Sequence, residues 1–88
     1  MIFEIICILG VSGHYDCSWD LITMSQNSYF WPCGEAIACT QHHEKRIVMS
    51  PIAHESKDFL GQSVLWHEIK HAMCDCDWHD GGARLYGN

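Results

Sequence analysis

Apolar and polar positions alternate in character along the chain in a way that predicts a few short strands and one helix. Met1-Ile-Phe-Glu-Ile-Ile-Cys-Ile-Leu9 is an apolar run that predicts a buried strand, ended by the Gly10 to Gly13 stretch. Trp19 to Met24 predicts a second short strand. Ser25 to Gly34 mixes polar and aromatic residues with turn chemistry at Asn27-Ser28 and Pro32-Cys-Gly34, so it is read as a loop. Glu35 to Gln41 and Arg46 to Ser50 are short apolar runs separated by His42-His-Glu-Lys45, a hairpin pattern that Pro51 closes. Ser56 or Asp58 is placed to cap a helix running from about Phe59 to Met73, and Asp75 through Gly82 has the composition of a chain leaving it. No repeat or linker divides these elements. The expectation is a single α+β domain over residues 1–88, with short antiparallel strands and a hairpin packed on one helix.

Within that helix lies His67-Glu68-Ile69-Lys70-His71, the H-E-x-x-H spacing. Imidazoles at i and i+4 project from one face toward one metal ion, and the intervening carboxylate stands beside it. At about 100° per residue, Leu60, Val64, Glu68 and His71 share a face with His67. Leu65, Trp66, Ile69, Ala72 and Met73 form a second stripe, leaving an exposed strip around Ser63 and Lys70. A helix buried on two sides with its histidines on an inner face is what a metal site requires. Zinc chemistry then assigns the roles: His67 and His71 as ligands, and Glu68 as the general base for a water whose pKa the ion lowers.

Composition narrows the alternatives. Apolar residues make up 48% of the chain and charged ones 18%, enough to support a core. Five Lys plus Arg against eleven Asp plus Glu give a net charge of -6, which repels phosphate backbones and argues against nucleic-acid binding. The apolar start is too short to span a bilayer, and it carries Glu4 without Lys or Arg, so it lacks the basic region of a secretory signal. The expected location is cytoplasmic, without membrane association. Seven His and six Cys concentrate metal-binding and redox side chains. In a reducing cytosol the cysteines are free thiols or ligands.

The stretches Arg46-Ile-Val-Met-Ser-Pro51 and Val64-Leu-Trp-His-Glu-Ile-Lys-His-Ala72 resemble the zincin metallopeptidases, in particular the small zincin-like proteins of phages and bacteria. The resemblance covers about half the chain. It implies a zinc-dependent peptidase acting on a peptide or protein substrate, with Arg46 to Ser50 as an edge strand that holds the substrate by backbone pairing. A thermolysin-like third ligand is excluded within this chain, because no Glu follows His71. The metzincin spacing puts its turn glycine at Cys74 and its last ligand at Asp77. Asp77 is therefore preferred as third ligand, with His79 as the nitrogen alternative.

The same residues support other uses. Cys74 and Cys76 with His71 or His79 would make a closed structural zinc centre, although the C-x-C spacing is tighter than usual. Cys33 and Cys39 flank a predicted strand and could pair with Cys74 or Cys76 if the protein is exported, but spacing does not establish proximity and they stay unassigned. His42 and His43 are expected at a solvated hairpin tip, and the Trp and Tyr residues mainly in the core. Tyr86 would donate to a developing oxyanion if the tail folds over the metal. The alternative function is a non-catalytic, zinc-stabilised binding module, such as a phage-encoded protein that grips a host factor. A third reading, a disulfide-stapled secreted peptide, predicts unfolding on reduction but not on chelation.

Overall fold

A computed structural model describes residues 1–10, 12–57 and 61–74. These residues form a four-stranded mixed sheet, a 3-10 helix and one α-helix. Strand β1 (Ile2–Leu9) pairs antiparallel with β2 (Tyr15–Thr23), which pairs parallel with β4 (Arg46–Met49), and β4 pairs antiparallel with β3 (Ala38–Gln41). The order across the sheet is β1-β2-β4-β3. The chain is α+β, as its patterning predicts.

Ile47, Val48 and Met49 of β4 are all buried. The reason is topological: β4 lies inside the sheet, and a strand covered on both faces reads as a continuous apolar run rather than an alternating one. Ile47 and Met49 face the helix, with Trp19, Leu21 and Ala38 from the neighbouring strands and Val64 and Ala72 from the helix. Val48 faces the other side, where it joins Ile22, Met24, Cys33, Ala36 and Cys39 beneath the loop that follows β2.

This arrangement corrects two expectations. Arg46 to Ser50 is not an edge strand, because the non-local parallel pairing with β2 encloses it and leaves β3 at the edge. Nor is β1 buried: of its residues only Ile8 enters the core, and Ile2, Phe3 and Ile5 are exposed. It is the opposite edge of the sheet.

The hairpin turn falls at His42 to Lys45, as expected, with Lys45 at φ 54°. Lys45 Nζ reaches Asp16 Oδ2 at 2.8 Å, tying the turn to the start of β2. This ammonium, helped by the hydroxyl and backbone N–H of Ser18, holds the Asp16 carboxyl well below the usual carboxylate range. Pro51 opens the 3-10 helix Pro51–Glu55.

Helix α1 spans Val64–Cys74 and so starts later than about Phe59. Gly61 adopts φ 78°, which breaks helical geometry, and Ser63 caps the helix by accepting the Trp66 N–H at 3.1 Å. Ser56 serves differently, its carbonyl accepting the Val64 N–H. Asp58 and Leu60 lie outside the described residues. No helix among the described residues is long and apolar enough to cross a membrane.

The described cysteines are not free thiols. Cys7 is bonded to Cys17 across β1 and β2, and Cys33 to Cys39 between the loop and β3. Cys74 is disulfide-bonded as well. Cys33 and Cys39, which the sequence leaves unassigned, thus pair with each other rather than with Cys74 or Cys76. Peptide mapping of the unreduced protein should recover the Cys7–Cys17 and Cys33–Cys39 links; a fragment joining Cys33 or Cys39 to the helix end would contradict this fold.

Candidate metal centre

The buried residues of α1 are Val64, His67, Glu68, His71 and Ala72, a spacing that keeps one helical face toward the sheet. Val64 and Ala72 supply the apolar contacts near its ends, and the titratable trio sits between them. The second stripe is less covered than its pattern predicts. Leu65, Ile69 and Met73 are half-buried against the core margin, while Trp66 is 42% exposed. Tyr15 and Tyr29 are also exposed rather than in the core, whereas Trp19 is buried.

His67 is 1% exposed, and Glu68 and His71 are 0% exposed. The two Nε2 atoms lie 3.2 Å apart, with the rings inclined at 76°. A tetrahedral ion with bonds of about 2.0–2.1 Å sets its ligand atoms about 3.3–3.4 Å apart. At 3.2 Å the two rings share an N–H···N hydrogen bond, a separation close to that of two neighbouring zinc ligands, and nitrogen donors suit that ion. Among the described residues, no group of three or more His, Cys, Asp or Glu side chains gathers at one point. Asp77, its alternative His79, and Cys76 and Tyr86 all lie outside the described residues. The closed-centre reading loses one donor, because Cys74 is in a disulfide and offers no thiolate.

Glu68 is fixed by a residue that the sequence pattern does not single out. Thr40 Oγ1 lies 2.9 Å from Glu68 Oε1 and 3.1 Å from the Glu68 backbone oxygen. The single hydroxyl proton is shared between these two acceptors, the carboxylate being the nearer, and so ties the helix to β3. Thr40 belongs with Ala38 on the helix-facing side of the strand, and that two-residue parity is the signal that would have found it.

His42 is not a fully solvated tip residue. It is half-buried, while His43 is exposed. With His14, Asp16, Trp19, Lys45 and Ala72 it lines a cavity of about 420 Å³ beside the end of the helix.

No family model, curated protein or solved structure matches this chain.

Removing the Thr40 hydroxyl should leave a buried acceptor short of its donor. We expect Thr40→Val to cost about 1–3 kcal/mol of unfolding free energy in urea titrations. Thr40→Ser, which keeps the hydroxyl, should stay much closer to the parent protein. Equal losses in both variants would show that packing, not the hydrogen bond, is what Thr40 contributes.

Proposed function

We propose that this chain is a zinc-dependent peptidase in which His67 and His71 hold the ion and Glu68 is the general base. The observation that carries this reading is the 3.2 Å approach of the two Nε2 atoms on the helical turn that also fixes Glu68. Asp77 is the proposed third ligand, ahead of His79. When bound, zinc supplies Lewis acidity toward a peptide carbonyl and lowers the pKa of water.

Glu68, next to His67 along the helix, takes the proton of the attacking water as the oxygen bonds to the carbonyl carbon. It then carries that proton to the amine nitrogen as the C–N bond breaks. Thr40 steadies the carboxylate through Oε1. The substrate is a peptide or unfolded segment in extended form. It lies along β3, the outer strand of the hairpin at the edge of the sheet, where an added strand pairs through its backbone groups.

The disulfides bear on where such a protein works. Bonds of this kind persist in oxidising surroundings, so we place the chain outside the reducing cytosol expected from its N-terminal residues.

One observation favours the second reading, a zinc-stabilised binding module without catalysis: His67, Glu68 and His71 are almost wholly shielded from solvent. A hydrolase must admit water and substrate to these groups, whereas a structural centre need not.

Metal analysis and peptide hydrolysis, measured on the native chain and two variants, separate the readings. The native protein should hold near-stoichiometric zinc and cleave unstructured peptides. His67→Ala should lose the zinc. Glu68→Gln should keep it while hydrolysis falls by about 10²–10⁴-fold. Zinc retained by the native chain without any hydrolysis would favour the binding module, and absence of zinc from every sample would overturn both.

A further inference from the structure

β1 forms an edge of the sheet, and β2 is its sole partner strand among the described residues. Residues 1–9 contain one charge, Glu4, and neither Lys nor Pro, so of the usual devices that blunt an edge only the irregularity between Ile6 and Ile8 is present. The strand is long for an edge, at eight residues. Phe3 is 63% and Ile5 79% exposed, and Met1 and Ile2 are exposed beside them. Little of this apolar surface serves the core, which takes Ile8 fully and Ile6 at its margin.

We propose that β1 pairs antiparallel with β1 of a second copy about a twofold axis at Ile5, joining two four-stranded sheets into one of eight strands. A twofold strand pair requires a strand complementary to its own reverse, and β1 meets that demand. With the axis at Ile5, Ile5 faces Ile5, Phe3 faces Cys7, Glu4 faces Ile6 and Ile2 faces Ile8. The two Glu4 carboxylates then lie on a diagonal, their positions about 7–8 Å apart rather than opposed. An axis at Glu4 would set like charges face to face, which is destabilising. One at Ile6 would centre the pairing next to the irregularity between Ile6 and Ile8.

Charge also selects this strip. Each copy carries a net -6, so two copies approach with least repulsion where charge is sparse. Phe3 lies opposite Ile22 of β2, and Ile5 follows two positions along on the same face, the one turned away from the helix. Pairing the edges brings these side chains from both copies together and satisfies the outer backbone groups of β1. The contact is isologous and closes after two copies, which ends growth of the sheet.

Sedimentation velocity on the full, oxidised chain tests this, with Ile5→Lys and, as a control at an exposed apolar residue away from the edge, Ile52→Lys. The native protein and Ile52→Lys should sediment at twice the chain mass. Ile5→Lys should sediment at the chain mass at the same concentrations, with an unchanged far-ultraviolet circular dichroism spectrum. Because Ile5 faces its own copy, Ile5→Cys should form a covalent dimer under mild oxidation. A native chain that stays monomeric, including one that instead takes up a synthetic peptide of residues 1–9, overturns the proposal. So does a dimer that survives Ile5→Lys, or one in which Ile5→Cys does not cross-link.

Discussion

The structure depends on how one helical face is used. Three of the five buried residues of α1 are ionisable, and they occupy the middle of the face that an ordinary helix would fill with Leu or Ile. Burying such groups costs free energy unless each is hydrogen-bonded or coordinated. Docking of the helix therefore rests on Val64 and Ala72, packed in one cluster with Ile47, Met49 and Ala38, on Leu65, Ile69 and Met73 at its margin, and on the Thr40 hydroxyl bonded to Glu68. A bound cation between the two imidazoles would offset more of the cost, and in doing so would link metal uptake to folding stability. On this account the site and the fold are one thermodynamic problem.

The disulfides fit the same problem. A chain of 88 residues that gives polar groups the centre of the one α-helix among its described residues has little apolar burial to spare. Cys7–Cys17 staples the long β1–β2 ribbon near its turn, and Cys33–Cys39 pins the covering loop to β3. Each restricts the unfolded chain where packing alone is thin. The loop matters because Val48, Ile22 and Cys39 would otherwise face water on the side away from the helix. Covering that face also keeps β4 enclosed, and β4 is the strand against which both layers pack.

Local pattern made much of this legible. The hairpin around His42 to Lys45, the strand at Ile47 to Met49 and the inward face of Val64, His67, Glu68 and His71 are all short-range features, and they appear where the residues place them. What escaped the sequence was partner choice. Nothing in residues 1–9 distinguishes a buried strand from an apolar edge, and nothing in Arg46 to Met49 announces a parallel neighbour more than twenty residues earlier in the chain. The helix start was misplaced because Ser56 and Asp58 offered earlier caps and the apolar periodicity extended past Gly61, whose positive φ sets the true boundary ahead of the Ser63 cap. Strand parity puts Thr40 on the inner face, but its partner did not show for a related reason: it meets Glu68, 28 positions away.

The central claim is that His67 and His71 form one half of a zinc site. Crystals grown with zinc and measured at the zinc absorption edge test it most directly. The account predicts one anomalous peak about 2.0–2.1 Å from both Nε2 atoms. A peak elsewhere in the molecule, or an imidazole pair sharing only a hydrogen bond in zinc-saturated crystals, would contradict it.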